Sequence, residues 1–265
     1  MDSNHSKQAI AVVSDFKFLK NNFNNIYSQL RNIGKYQGEI LVITTKLCPT
    51  FVIKSIRKKN RVTVLRFKKI KFDKNAEFEL NNLETFEDPN RNLTKKFQWH
   101  KLHLFDERIK NWDYVFYLDI NMNIHFEISH ILKILPKECF MARSDAYPNY
   151  DRDLKTQFDQ THTLYTTLEK NYDLSVTDYF QSGVMYFDTK IIDNLTKNEI
   201  IKLVNKFPIS KTNEQGILNL YFYLDKKLYK ELPAKVDDFT TYFYWNLSGH
   251  KIIITKQLTG PNKKI

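Results

Sequence analysis

Residues 112 to 125 read WDYVFYLDINMNIH, and most of the architecture can be reasoned outward from this segment. Residues 115 to 118 form an unbroken apolar run, which is typical of a strand buried on both faces. The run ends at Asp119, and Asn121 follows two positions later. In open α/β sheets, ligands gather outside the carboxyl ends of parallel strands. We therefore expect Asp119 to meet a metal, a phosphate or a sugar hydroxyl, which indicates catalysis.

Predicted strands and helices alternate along the chain on either side of this segment. Before it, strands are expected at 9–14 (AIAVVS), 39–45 (EILVITT) and 61–67 (RVTVLRF), with helices at 21–33 and 50–59. After it, we expect a helix at 128–135, a strand at 139–143, an extended segment at 179–188, and helices at 198–207 and 214–224. This alternation is typical of an α/β protein with a parallel sheet between two layers of helices.

A further helix is predicted to begin near residue 99, where Leu102, Phe105 and Ile109 form one apolar stripe. It leads directly into the strand that ends at Asp119. A helix that packs antiparallel to the following strand has its amino end beside the carboxyl end of that strand. Lys101 and Asp119 are therefore expected to face a common crevice.

The composition is that of a globular protein that folds as one domain. The chain has 265 residues, of which 42% are hydrophobic and 27% charged, with only 6 Gly and 7 Pro. Residues 68–98 are polar and poorly periodic, and we expect them to form a loop excursion or lid. Cys48 and Cys139 have no metal-motif or disulfide-framework spacing, which favours a reducing compartment. Neither a signal peptide nor a spanning segment is visible, so the expected location is cytoplasmic and soluble.

The net charge of +11 predicts attraction to anionic partners. Most of the excess is lysine, which lacks the fork geometry that arginine offers to base edges. A nucleic-acid-binding protein is therefore a rival interpretation, but neither an RNA-binding aromatic motif nor a recognition-helix pattern is visible. Peripheral contact with an anionic membrane is compatible with the same charge, and the oligomeric state stays open.

Asp119 and Asn121 form Asp-X-Asn, a variant of the Asp-X-Asp pattern in which two side chains hold a divalent cation against a diphosphate. Hard oxygen ligands suit Mg²⁺ or Mn²⁺, and the cation neutralises the charge that builds up on a leaving phosphate. The tripeptide alone does not establish such a site, because many strands end in Asp followed by a turn.

Three longer segments, in order, resemble glycosyltransferase family 8, the glycogenin-like enzymes. They are HKLHLFDERIKNWDYVFYLDINMNI (100–124), YFQSGVMYFD (179–188) and TNEQGILNLYF (212–222). The opening VVSDFKFLKNNFNNIYSQLR (12–31) is similar to the first strand and nucleotide loop of the family, and LTGPNKK (258–264) to its Gly-X-X-Lys phosphate clamp. The resemblance implies the GT-A fold, a Rossmann-like, mixed and mostly parallel sheet flanked by helices, together with a UDP-sugar donor.

Carried over residue by residue, the resemblance implies a site with three parts. Lys101, Gln181, Glu214 and Gln215 would be catalytic, with Lys101 over the diphosphate or the transferred sugar and Glu214 as sugar-binding carboxylate or base. The donor would be bound by Ser14, Asp15, Phe18, Asp119, Ser182, Gly183, Gly260 and Lys263. The metal would be held by Asp119 and Asn121, with His250 as a candidate third ligand.

The third metal ligand is where the sequence departs from the family pattern. The family has a His just upstream of the clamp, but Thr255 and Lys256 stand there in this chain. Three alternatives follow. His250 takes over from nearby, or Lys256 supplies the positive charge itself and the enzyme depends less on metal, or the site is degenerate and binds a nucleotide without turnover.

The function expected on these grounds is transfer of a sugar from a nucleotide-diphosphate sugar to a hydroxyl of a glycan, protein or lipid-linked acceptor. Residues 1–145 would form the nucleotide-binding half and 146–265 the acceptor- and sugar-binding half of one domain, 1–265. The resemblance implies retention at the anomeric carbon. The residues alone leave this open, because Glu214 could act as an inverting base if it reached the acceptor oxygen. A catalytically inactive, nucleotide-binding relative is the chief alternative.

Overall fold

The computed structural model describes residues 6–83, 97–145, 152–243 and 250–256. Within these ranges seven strands form the main sheet, in the order β3-β2-β1-β4-β7-β6-β8. They are β1 (Gln8–Val13), β2 (Glu39–Thr45), β3 (Val62–Phe67), β4 (Tyr114–Leu118), β6 (Phe140–Ser144), β7 (Phe180–Asp188) and β8 (Tyr229–Glu231). The strands pair in parallel except where β7 lies antiparallel to both β4 and β6. The predicted α/β class with a mixed, mostly parallel sheet is confirmed.

Helices cover both faces of this sheet in the described ranges. They are α1 (Phe16–Asn32), α2 (Thr50–Arg57), α3 (Lys74–Asn82), α4 (Ser129–Leu132), α5 (Tyr165–Asn171), α6 (Thr196–Lys206) and α7 (Glu214–Leu218), which continues as a π-helix (Asn219–Asp225). Short 3₁₀ turns add Trp99–Phe105, Glu107–Asn111, Leu154–Gln157 and Thr189–Ile191. None of the helices in the described part of the chain combines the length and the apolar character needed to cross a bilayer.

Two of the expected elements differ from the structure. The stretch 68–98 is not wholly irregular, because α3 begins after Asp73, whose carboxylate caps the helix by accepting from the Ala76 amide at 2.8 Å. Residues 84–96 lie outside the described ranges. The helix expected from residue 99 is instead two 3₁₀ turns separated at Asp106, whose side chain accepts from the Arg108 amide at the start of the second turn.

The strand β4 lies at the centre of the main sheet and is almost wholly buried. It pairs in parallel with β1, and in antiparallel register with β7, where Leu118 lies opposite Val184. Just beyond the strand, the Asp119 amide donates to the Gly183 carbonyl at 3.0 Å. The carboxyl end of β4 therefore lies directly beside the first half of β7.

A second, four-stranded sheet in the described residues is not predicted by the sequence. Its order is β5-β11-β10-β9, formed by β5 (Met122–Ile124), β9 (Lys235–Val236), β10 (Phe239–Phe243) and β11 (Ile252–Lys256). The strand β5 follows the turn after Asp119 and pairs antiparallel with β11, so that Met122 lies opposite Lys256. This pairing brings the last described residues of the chain to the end of the central strand.

Candidate functional site

Asp119 lies at the centre of a cluster of charged side chains at the carboxyl end of β4. Its Oδ1 accepts from the Tyr117 hydroxyl at 2.5 Å and lies 3.1 Å from the Lys101 ammonium. Its Oδ2 is paired with the Lys256 ammonium. The Asp119 side chain is only 20% exposed. The predicted juxtaposition of Lys101 and Asp119 is confirmed, because the 3₁₀ turn that carries Lys101 lies at the same sheet edge.

A second carboxylate, Glu214 at the start of α7, completes the cluster. Its Oε1 lies 2.7 Å from the Lys101 ammonium and accepts from the Ser182 hydroxyl at 2.8 Å. Glu214 is 2% exposed, yet its Oε2 is buried and has no hydrogen-bond partner among the described residues. Because buried polar atoms are nearly always hydrogen-bonded, this oxygen is a candidate acceptor for a ligand hydroxyl.

The charges fix the protonation states of the cluster. Burial by itself would raise the pKa of Asp119, but Lys101 and Lys256 hold it well below its usual range. Burial would lower the pKa of Lys101, but Asp119 and Glu214 more than offset this and raise it above its usual value. Burial, reinforced by Asp119, raises the pKa of the Tyr117 hydroxyl far above its ordinary value. Near neutral pH, Lys101 and Asp119 are therefore charged and Tyr117 is a neutral donor.

A set of amide groups lies next to this cluster. The side-chain oxygen of Gln215 accepts from the Ser182 backbone amide at 3.1 Å, and its side-chain nitrogen donates to Gln157 Oε1 at 2.8 Å. The same nitrogen lies 3.4 Å from Asp145 Oδ2. Burial raises the pKa of the Asp145 carboxyl. Gln215 therefore links the Glu214 side of the charged cluster to a further, partly buried carboxyl group, that of Asp145.

The backbone around α7 holds Glu214 and Gln215 against β7. Asn213, immediately before the helix, has φ 56° and ψ −122°, a positive-φ conformation that favours glycine. One turn later the buried Asn219 side chain accepts from the Phe180 amide at 2.9 Å and donates to the Phe180 carbonyl at 2.7 Å. This pair of bonds fixes the helix to the start of β7.

Gly183 lies where the backbone of β7 passes closest to Asp119. A Cβ atom there would lie 3.1 Å from the Met122 Cε and 3.6 Å from Asp119 Oδ2. A larger residue would therefore push on the side chains that frame the carboxylate. Gln181 is half-buried and lies in the part of β7 where the register of its pairing with β6 shifts.

The predicted nucleotide loop follows β1. Ser14 is buried, and its amide donates to the Ile43 carbonyl at 3.0 Å. Asp15 caps α1, since its Oδ1 accepts from the Phe18 amide at 2.8 Å. Phe18 is half-buried against the apolar cluster on that face of the sheet. Asp15 and Phe18 thus have clear structural roles, and their roles in donor binding stay predictions.

Two other predicted site residues, Asn121 and His250, make none of the hydrogen bonds or ion pairs found in the cluster among the described residues. Asn121 lies in the turn between β4 and β5 and is half-buried. His250 is exposed and stands before the start of β11, whereas Lys256 ends that strand. Six residues of extended chain span about 20 Å, so the structure does not bring His250 to Asp119. Gly260 and Lys263 lie outside the described residues.

Three residues of the cluster and its supports were not predicted as site residues. The sequence shows Tyr117 only as part of an apolar run, although residues two apart on a strand share a face and Tyr117 therefore points with Asp119. Gln157 and Asp145 come from segments with no local motif. Their proximity to Gln215 depends on tertiary packing alone.

No family model and no curated protein matches this chain. Among solved structures, the galactosyltransferase LgtC in complex with donor and acceptor sugar analogs has a TM-score of 0.60 at 13% identity, covering 96% of this chain and 87% of that one. The bifunctional glycosyltransferase WbbM has a TM-score of 0.55 at 14% identity, covering 98% of this chain and 47% of its own. The chain has the GT-A glycosyltransferase fold. It spans about half the length of WbbM.

A third GT-A structure, core-mannan synthase A (CmsA/Ktr4) from Aspergillus fumigatus, is an Mn/GDP form. It has a TM-score of 0.52 at 10% identity, covering 87% of this chain and 74% of its own. The side chains of the Asp119 cluster do not fit such an ion. Both Asp119 oxygens are paired with ammonium groups. Nowhere in the described ranges do three or more His, Cys, Asp or Glu side chains form a group able to hold a metal.

Proposed function

We propose that this protein is a glycosyltransferase that moves a sugar from a UDP-sugar to a hydroxyl of a glycan, protein or lipid-linked acceptor. The observation that carries the proposal is the largely buried cluster of Lys101, Asp119, Glu214 and Lys256 at the carboxyl end of the central strand. Ionised groups held away from water cost several kcal/mol each unless paired, so a protein rarely collects four of them at a sheet edge without a ligand to bind. The GT-A fold supports the same conclusion.

The proposed reaction exchanges one bond at the anomeric carbon for another. The bond from C1 to the β-phosphate oxygen breaks, and its electron pair leaves with UDP. A new bond forms from C1 to the acceptor oxygen, whose proton passes to the departing phosphate. The resemblance to the glycogenin-like enzymes supports retention of configuration. The work left to the protein is positioning and stabilisation of the charge on the leaving diphosphate.

Each side chain of the cluster has a role that fits its position. Lys101, an ammonium held between two carboxylates, stabilises the leaving diphosphate. Glu214 offers its unpaired Oε2 to a sugar hydroxyl. Gln215 holds the Ser182 backbone and lies beside the transferred sugar. No step depends on a metal ion, because Lys256 occupies one oxygen of Asp119.

The division of labour follows the order of the chain. We assign donor binding to residues 1–145, which contain Ser14, Asp15 and Phe18 as well as Asp119, and sugar and acceptor binding to 146–265. The uracil ring would lie on Phe18 at the start of α1, where helix amide groups also favour anionic groups. Gly260 and Lys263 complete the proposal as a phosphate clamp.

The proposal is tested by thermal unfolding with nucleotides. At a concentration of UDP about one hundred times its Kd, binding to the folded state alone adds about 2.7 kcal/mol, or about 5–10 °C in Tm for a domain of this size. Asp119→Ala should abolish most of this shift, measured from the variant's own ligand-free Tm, because it removes the carboxylate that holds the Lys101 and Lys256 ammonium groups in place. Asp113→Ala is the matched control, since it removes an exposed carboxylate near the amino end of the same strand. Absence of a shift with UDP and every other nucleoside diphosphate would rule the proposal out.

A kinetic test separates chemistry from binding. Lys101→Ala should lower the rate of UDP release by about 100-fold, the usual cost of removing one charge-stabilising group, and weaken UDP binding much less. Lys101→Arg should restore part of the rate because it keeps the charge. Lys110→Ala, which removes an exposed lysine from the following turn, should behave as wild type. An unchanged rate in Lys101→Ala would remove Lys101 from the mechanism, and binding without UDP release from any sugar nucleotide would indicate an inactive relative.

A further inference from the structure

Lys256 is placed against Asp119 by strand pairing rather than by chance contact of a surface side chain. It ends β11 and lies in register with Met122, the first residue of β5. Only the two-residue turn Ile120–Asn121 separates Met122 from Asp119. The preceding residue, Thr255, is 1% exposed, and its hydroxyl lies 2.8 Å from the His125 Nε2. The Lys256 side chain itself is only 18% exposed, and its ammonium group belongs to the charged cluster around Asp119.

The charge of the pocket is balanced without a divalent ion. The cluster contains two ammonium groups, Lys101 and Lys256, and two carboxylates, Asp119 and Glu214. Mg²⁺ and Mn²⁺ favour carboxylate oxygens, but Asn121 offers a neutral amide where a second carboxylate would stand. A divalent ion at Asp119 would also lie next to a like charge. Among the described residues the cluster therefore offers ammonium groups to a diphosphate, and no set of metal ligands.

We propose that Lys256 takes the place of the divalent metal in this enzyme. This inference rests on the proposed function. The Lys256 and Lys101 ammonium groups hold the donor diphosphate from two sides of Asp119, and they stabilise it as the C1–oxygen bond breaks and the electron pair leaves with UDP. Lysine suits the task because its compact charge carries three donors that can turn toward phosphate oxygens. Asp119 then acts to fix both ammonium groups and not to bind an ion.

The first test compares UDP binding by titration calorimetry in EDTA and in excess Mn²⁺. The wild-type Kd for UDP should be the same in both media within about threefold, which is well below a tenfold change in affinity. Lys256→Gln should weaken binding by about tenfold or more in both media. Lys256→Arg, which keeps the charge but not the compact ammonium group, should bind UDP more tightly than Lys256→Gln in both media. Lys251→Gln is the matched control, since it removes an exposed lysine just before β11.

A gain-of-function variant gives an independent readout that needs no turnover. Lys256→His places an imidazole where the resemblance expects a metal ligand. Its UDP binding should become stronger in Mn²⁺ than in EDTA, and adding this variant to a mixture of Mn²⁺ and UDP should lower the free-ion paramagnetic resonance signal below that of the mixture alone. The wild type should leave that signal unchanged. Circular dichroism of each variant checks folding, and the comparison of EDTA with Mn²⁺ on the wild type stands even if Lys256→Gln does not fold.

The outcomes separate the two proposals. UDP binding by the wild type that requires Mn²⁺ would overturn the role of Lys256 and leave the glycosyltransferase proposal standing. Wild-type affinity in Lys256→Gln would overturn it in the same way. Failure of UDP and other nucleoside diphosphates to bind in either medium would instead refute the proposed function, and the role of Lys256 with it.

Discussion

Mild acid should destabilise the protein through two buried histidines that flank Lys101. His100 and His103 are 3% and 4% exposed, and their rings stack on Phe97 and Phe67 with centroids 4.3 and 4.2 Å apart. Burial, aided by Lys69, lowers the pKa of His100 to about 4. Burial, aided by His100 and Lys197, lowers that of His103 to about 3. Both rings are therefore neutral in the folded protein at neutral pH.

The sign of the effect follows from proton uptake. An unfolded chain binds a proton on each ring near pH 6.5, whereas the folded chain does not, so the free energy of unfolding falls as the pH drops below 6.5. The loss continues until the pH reaches the folded-state pKa values of about 4 and about 3. At about pH 5 each imidazole should cost about 2 kcal/mol relative to pH 7, about 4 kcal/mol for both. This is a large share of a typical stability of about 5–15 kcal/mol.

The assay is urea unfolding followed by tryptophan fluorescence at pH 7 and pH 5. His100→Phe keeps an aromatic ring on Phe97 but removes one titrating group. It should lose about 2 kcal/mol less than wild type between the two pH values, and contributions from groups that do not interact with His100 cancel in this difference. His250→Gln, an exposed position, should lose as much as wild type. If His100→Phe also loses as much as wild type, the assignment of acid sensitivity to the buried pair is wrong.

Two further predictions concern the supports of the site. Asn219→Ala should lower the free energy of unfolding by about 2–4 kcal/mol, because it leaves the buried Phe180 amide and carbonyl without partners. Urea unfolding measures this loss, and a change below about 0.5 kcal/mol would contradict the prediction. Tyr117→Phe should slow UDP release by about tenfold with little change in Tm, since it removes only the hydroxyl that orients Asp119. Wild-type kinetics in that variant would show that Asp119 is oriented by Lys101 and Lys256 alone.

The sequence alone predicts the central strand and the site residues that lie nearest to it along the chain. An apolar run that ends in an acid has few structural solutions, so β4 and the position of Asp119 could be predicted from residues 112–125. The position of Lys101 could be predicted as well. The segment before β4 packs antiparallel to that strand, so it begins at the edge of the sheet where β4 ends. Glu214 and Ser182, by contrast, were predicted through family resemblance, and their 2.8 Å contact could not be inferred from either segment alone.

The local form of several segments was decided by packing. The stripe of Leu102, Phe105 and Ile109 predicted one helix, but the chain forms two 3₁₀ turns capped at Asp106. All three apolar residues are nevertheless fully buried, so the pattern identified the buried face correctly and only the helix type was wrong. The apolar pattern predicts which side chains are buried, whereas the helix type depends on what the segment packs against.

Only the tertiary structure brings Lys256 to the second carboxylate oxygen of Asp119. Lys256 is 137 residues away along the chain, and it reaches Asp119 because β11 pairs with the three-residue strand β5. Strands this short carry too few alternations to be predicted, and their register depends on non-local hydrogen bonds. The sequence by itself determined which residue ends the central strand and that a cation faces it. Only the folded chain determined that a second cation does so too, because pairing between distant strands sets which side chains share a pocket.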